Sequence, residues 1–241
     1  MALRTLQLSI VWLGMLILIC TAARAAPPSS ECVVLLHGLA RSDDAMKKLA
    51  RYFTKEGYTV VNQGYPSRKA TVQKLAAEAI PEAISDCANP TTIHFVTHSM
   101  GGILVRQYLS QHSIPKLGRT VMLGPPNKGS QVVDKMSGWP GYSLLNGPAG
   151  KQLGTQNNCL PCELGEANFE LGVIAGNRSI NLILSQLLPG QDDGKVTVEN
   201  TKLEGMADHI VLPVTHTFMM HNRGVIEQAS YFLKNGRFNR P

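Results

Sequence analysis

The run Ile93-His94-Phe95-Val96-Thr97-His98-Ser99-Met100-Gly101-Gly102 constrains the fold more than any other stretch. An apolar-rich segment that reads as a buried strand meets one serine and passes at once into a helical pattern extending to His112. A junction that tight needs small residues two positions before and two after the serine, because a bulky side chain there collides with a neighbouring strand or helix. Gly101 meets the need, and Thr97 stands where glycine is usual, small but β-branched. The plain alternative is that Ser99 merely caps the helix.

The rest of the chain agrees with a strand that feeds a helix. Strand-like runs at Cys32–Leu36, Tyr58–Asn62, Thr92–Thr97 and Arg119–Leu123 alternate with helical patterns at Asp43–Lys55, at Ala70–Cys87 with a kink expected at Pro81, and at Met100–His112. Such alternation predicts a parallel sheet with crossover helices. Strand texture returns at Leu171–Ala175 and His209–Val214, before a last helix at Val225–Lys234. Between Gly124 and about Glu170, closely spaced Gly and Pro leave little room for long elements, so this stretch reads as a small irregular cap.

Composition narrows the class. With 44% apolar and 17% charged residues, the chain is globular, and disorder, collagen-like repeats and coiled coil are excluded. Residues 1–25 carry Arg4, an apolar run and Ala23-Arg24-Ala25, the pattern of a cleaved export signal. An uncleaved anchor and a lipidated Cys20 are the alternatives. The apolar core from Leu8 to Cys20 falls short of the ~20 residues that span a bilayer, and Ile19 is bulky for a lipoprotein signal. Cleavage leaves 216 of the 241 residues, removes two basic and no acidic ones, and lowers the net charge from +6 to +4. The expected location is periplasmic or extracellular. Lys47, Lys48, Arg51 and Lys55 fall on the outer face of a predicted helix. Such a face suits solvent, or weak and transient contact with a membrane or lipid surface; nucleic acid would need a denser patch.

Cys32, Cys87, Cys159 and Cys162 remain after export, an even number in an oxidising compartment. The local Cys159-Leu160-Pro161-Cys162 pair suggests a second bridge from Cys32 to Cys87. A redox or zinc site is the alternative for the local pair, but it lacks the helix-start context or a second ligand pair.

A serine hydroxyl attacks only when a base takes its proton and donors hold the oxygen that becomes negative. His37-Gly38-Leu39, at the end of the first buried strand, can supply one donor through the Leu39 N–H, with the Met100 N–H as the second. Gly38 lets the chain turn beside the serine, and His37, Gly38 and His98 are expected near the substrate. Asp193 and His216 each follow a later strand and come in the order serine, acid, histidine. Asp192 rivals Asp193, and His209 and His221 rival His216; His94 and His98 lie too close to Ser99 in sequence to reach back as its base.

Val33-Val34-Leu35-Leu36-His37-Gly38, the Phe95–Gly102 elbow, Asp193-Gly194-Lys195-Val196 and the His216 segment together resemble the α/β-hydrolase superfamily, in particular its bacterial lipase/esterase branch. The resemblance covers Cys32 to Phe238, and Thr97 departs from the usual pattern. It implies one α/β-hydrolase domain over 26–241, a mostly parallel sheet flanked by helices, and a cap at about 125–170. It further implies a Ser99, Asp193, His216 triad, a covalent acyl-enzyme, a small-molecule or lipid ester substrate and no cofactor; some lipases bind calcium, but no metal-ligand cluster stands out in the sequence. Gly124–Ser130 resembles a pocket-shaping loop of lipase-like members, and Trp139, Leu144 and Leu145 are candidates to face an acyl chain. An acyltransferase using the same triad, or a catalytically inactive binding protein, are the alternatives.

Overall fold

The computed structural model describes residues 30–156, 159–180 and 188–240, so the segment read as an export signal lies outside the described residues. Six strands form one sheet: β1 (Glu31–Leu36), β2 (Thr59–Gln63), β3 (Thr92–His98), β4 (Leu117–Leu123), β5 (Leu171–Gly176) and β6 (Asp208–Leu212). Their order is β2-β1-β3-β4-β5-β6, and every pairing is parallel.

The run Cys32–Leu36 is apolar throughout because both faces of its strand are covered. Val33 and Leu35 enter a core shared with α1 (Lys47–Lys55) and the last helix, α8 (Arg223–Asn235), through Leu49, Phe53, Ile226 and Phe232. Cys32, Val34 and Leu36 point the other way, into a core that includes Ile80 of α2 (Val72–Ser85) and Val105 of α3 (Met100–Leu109). The period of two along one strand thus serves two separate cores.

Local chemistry sets the element ends. A 3₁₀ turn, Asp43–Met46, opens the helix expected from Asp43, and regular α-helix begins only at Lys47. The helix expected from Ala70 starts at Val72, because Thr71 adopts an extended backbone and its side chain accepts the Lys74 N–H. Pro81 lies inside that helix. Lys47, Lys48, Arg51 and Lys55 are exposed, as their spacing requires.

The Gly/Pro-rich stretch between β4 and β5 builds three short helices: α4 (Gln131–Met136), α5 (Tyr142–Lys151) and α6 (Leu160–Glu163). Arg106 fastens this stretch to the helix after the elbow. Its guanidinium is buried and donates to Asn127 O and Oδ1 (3.0 and 3.2 Å), Pro161 O (2.9 Å) and Gly165 O (2.8 Å). Burial lowers its pKa to about 10, leaving it charged at neutral pH. Carbonyl dipoles replace water around this cation, and no carboxylate takes part. Among the described residues after β5, a short helix, α7 (Val198–Thr201), and a 3₁₀ turn, His216–His221, join β6 and α8.

Both expected disulfides are present. Cys32–Cys87 joins β1 to the end of α2 across 55 residues of sequence, and Cys159–Cys162 closes one turn around α6. The first lies in the core beside α2. Replacing Cys32 and Cys87 with alanine is expected to cost about 2–5 kcal/mol, mostly through the freed unfolded chain; urea unfolding with and without reductant would measure it. Arg106→Met should cost about 3 kcal/mol, because it orphans three buried acceptors and a part-buried one, and limited proteolysis should cut first between residues 124 and 170.

Candidate active site

The strand order reverses between β1 and β3, so the loops leaving their carboxyl ends diverge and open a crevice. Ser99 sits at that point, directly after β3, with φ 53° and ψ −121°. For a residue with a Cβ this left-handed φ costs about 1–3 kcal/mol. The strain is held by close packing: a Cβ on Gly101 would lie 2.6 Å from Leu36 O. The small-residue requirement two places after the serine is therefore literal, and Thr97 fits two places before it, fully buried.

His216 and Asp193 come from the next loops at the same edge. The His216 Nδ1–H donates to Asp193 Oδ2 at 2.7 Å, because a carboxylate can only accept. Nε2 is then left as the acceptor for the Ser99 hydroxyl, 3.1 Å away. Asp193 is almost wholly buried, and its other oxygen accepts the N–H groups of Lys195 (3.0 Å) and Val196 (2.8 Å). The His216 N–H also donates to Asp193 O at 2.9 Å, tying the two loops by backbone as well. Gly124, after β4, has φ 55°, and a Cβ there would crowd Asp193 Oδ2 at 3.0 Å and His216 Nδ1 at 3.1 Å.

The rival residues lie elsewhere. Asp192 Oδ1 accepts the Gly194 N–H at 2.7 Å, the His209 ring meets Thr201 Oγ1 at 3.0 Å, and His221 is exposed and does not line the crevice that holds Ser99. His94 accepts the Arg119 N–H at 2.9 Å.

His98 lines the crevice and is buried beneath His216. Its Nε2 lies 3.0 Å from His216 O, so that nitrogen carries the proton, and Nδ1 is a buried acceptor without a partner among the described residues. Burial first, then the nearby His216, hold its pKa well below 6.5. Gly38 packs on this ring: a Cβ there would lie 2.9 Å from His98 Nδ1 and 3.1 Å from Ser99 Cβ. His37 lies apart from the crevice. It is fully buried, stacks on Tyr65 at 4.0 Å, contacts Gly38 O at 2.9 Å through Nδ1 and accepts the Tyr65 N–H through Nε2 at 3.3 Å. The Tyr65 hydroxyl donates to His37 O. Placing His37 near the substrate is thus corrected: its ring braces the turn that carries Gly38 and Leu39.

The crevice encloses about 180 Å³. Its apolar wall is Leu39, Pro126, Val132, Val133, Met136 and Leu153, most of it from the β4–β5 stretch, with Ser130 of the same Gly124–Ser130 loop beside it. Trp139, Leu144 and Leu145 do not line it; they stand 58%, 84% and 61% exposed on the outside of that stretch. Sequence reading picked the largest apolar side chains there and missed the medium-sized ones at Val132, Val133 and Met136. Their near-helical spacing in α4 is the signal that marks an inward face. Arg41 and Lys195 also line the crevice; sequence reading takes Lys195 only as part of the Asp193 segment and Arg41 not at all, although each lies two residues beyond a residue already singled out, Leu39 and Asp193. Leu39 and Met100 bracket Ser99 from the ends of β1 and α3, and the Met100 N–H, in the first turn of its helix, has no acceptor within that helix.

No protein-family model and no curated protein matches the sequence. Among solved structures, the Bacillus licheniformis lipase BlEst2 in its propeptide form is similar at 21% identity and a TM-score of 0.66, over 90% of this chain and 53% of that one. Its mature form gives 23% identity and a TM-score of 0.58, over 88% and 93%. Phospholipase PlaB from Legionella pneumophila gives 15% and 0.62, over 77% and 53%. The chain therefore spans about half the length of the BlEst2 propeptide form and of PlaB. At such identities the likeness concerns architecture, and it agrees with the sheet order and the elbow: this chain has the α/β-hydrolase fold, in the form seen in bacterial lipases and esterases.

Proposed function

We propose that this chain is a carboxylic-ester hydrolase in which Ser99, His216 and Asp193 act as a catalytic triad. The observation that carries the reading is the unbroken hydrogen-bond path from Ser99 Oγ to His216 Nε2 and from His216 Nδ1 to Asp193 Oδ2, at 3.1 and 2.7 Å, on the wall of a mostly apolar crevice. His216 takes the serine proton as Ser99 Oγ bonds to the acyl carbon, and the carbonyl oxygen becomes negative. Asp193 keeps the imidazole in the accepting tautomer and stabilises the imidazolium. The N–H groups of Leu39 and Met100 hold the oxyanion. The C–O bond then breaks, the alcohol leaves with the proton from His216, and water repeats the sequence to release the acid.

Several features support the finer reading. The β4–β5 stretch acts as a cap whose inner wall receives the acyl chain, and the small enclosed volume suits short chains. Proteins sharing the fold include a lipase and a phospholipase, in keeping with a lipid-like ester. Two disulfides and the signal-like pattern of residues 1–25 suit an exported protein.

Ser99→Ala and His216→Ala should each lower turnover of p-nitrophenyl butyrate by at least about 10⁴-fold, and Asp193→Asn by about 10⁴-fold. Fluorophosphonate should label the wild type and fail to label Ser99→Ala. A wild type that neither labels nor cleaves any ester would end this reading. Across p-nitrophenyl esters, kcat/KM should peak between about four and eight acyl carbons. A maximum at longer chains would show that the acyl group extends beyond the enclosed space.

Acid stability offers an independent check on the buried His98. The folded protein resists a proton that the unfolded chain accepts, so the contribution of His98 is complete above about pH 6.5 and is lost as pH falls toward its lowered folded value. His98→Gln should flatten the acid limb of the stability curve by about one proton, up to about 1.4 kcal/mol per pH unit. Denaturant unfolding between pH 5 and 7 reads this slope, and an unaltered slope would count against a neutral, buried His98.

A further inference from the structure

The crevice wall carries two cationic side chains, Arg41 and Lys195, and no carboxylate. They arrive from different loops, after β1 and after β5, and both reach solvent at the rim. They are near each other and near the reacting groups: the Arg41 charge lowers the Lys195 pKa, second only to lost hydration, and both charges disfavour protonation of His98. Asp193 pulls the Lys195 pKa the other way, but its oxygens are taken by His216 Nδ1–H and two backbone N–H groups.

All 17 aspartates and glutamates of the chain lie among the described residues, and none forms an ion pair with Arg41 or Lys195. Elsewhere the chain pairs cations freely: Lys128 and Lys202 share Glu199, and Arg240 takes Asp208. Two like charges beside a crevice repel, and the nearby carboxylate of Asp193 is committed to His216 and forms no ion pair with either cation. A negative group at the mouth would be attracted by both cations.

The apolar wall lies on the cap, whereas the cations stand on the sheet-edge loops. An acyl chain laid against the cap leaves the alcohol half of the ester at the cationic rim. From this division we infer that the preferred substrates are esters whose alcohol portion bears a phosphate, held by Arg41 and Lys195 while Ser99 attacks the acyl carbon. The inference rests on the hydrolase reading and adds the substrate class to it. The reaction stays balanced: the acyl–oxygen bond breaks, the phosphate-bearing alcohol departs with the proton from His216, and its phosphate ester is untouched.

The test compares kcat/KM for monomeric dihexanoyl phosphatidic acid with that for dihexanoylglycerol, and for p-nitrophenyl succinate with that for p-nitrophenyl butyrate. The wild type should favour the phosphate-bearing ester by about tenfold or more at low salt, chiefly through KM, and rising ionic strength should erode the preference. In the Arg41→Gln/Lys195→Gln double variant that ratio should fall to near unity, while Lys195→Arg should keep most of it. Equal rates on the two dihexanoyl esters, or a ratio the double variant leaves intact, would overturn the inference while leaving the hydrolase reading standing. So would an equal gain for the succinate ester, whose charge lies on the acyl side. Absence of turnover on every ester, with no fluorophosphonate labelling, would instead be failure of the hydrolase reading itself.

Discussion

A parallel sheet covered on both faces has only its strand ends free to meet small molecules, and that constraint organises this protein. Every strand delivers its chain to the same edge, so loops far apart in sequence converge there. Ser99 leaves β3, Gly124 leaves β4, Asp193 follows β5 and His216 follows β6. The helices contribute by closing both cores and holding the strands in register. The reversal of strand order between β1 and β3 then selects where along the edge the crevice opens, and Ser99 holds a strained backbone position beside it.

Convergence alone would leave the groups loosely held. Asp193 and His216 are bound to each other twice, once through side chains and once through backbone, and the remaining carboxylate oxygen is fixed by two N–H groups of its own turn. Gly124 closes over the pair, and its left-handed φ with no Cβ lets it approach both without crowding. Below them, His98 is kept neutral and fixes the His216 carbonyl. Each atom of the path except the serine oxygen thus has its geometry set before any ligand arrives, which is what electrostatic preorganisation requires.

Legibility in the sequence followed the length scale of the interactions. The six strands and the elbow were readable because their signals are local: a period of two, a buried apolar run, a serine between small residues. Asp193 and His216 could be named because a parallel sheet sends consecutive loops to one edge, so topology stood in for distance. His37 was misjudged because its neighbour Tyr65 lies 28 residues away, and only the fold reveals that the two rings stack. Trp139, Leu144 and Leu145 were misjudged for a related reason. In a stretch broken by Gly141, Gly147 and Pro148, short helices change direction too often for size and hydrophobicity to tell inside from outside. Arg41 and Lys195 carry no local mark at all, since their meaning comes from missing partners.

The chemistry and the choice of substrate therefore reside in different kinds of structure. The groups from β3, β5 and β6 are fixed by sheet topology and can change little without losing the hydrogen-bond path. The wall that a substrate meets is borrowed from the β4–β5 stretch, which reaches the core helix α3 through the buried Arg106 and its four carbonyl and amide acceptors. One cation inside α3 thus carries the alignment of the apolar wall with Ser99, at the other end of the same helix. In the proposed hydrolysis, a change in Arg106 would shift the wall relative to Ser99 and His216 without touching either, so loss of that anchor would act on acyl-chain fit before it acted on bond making.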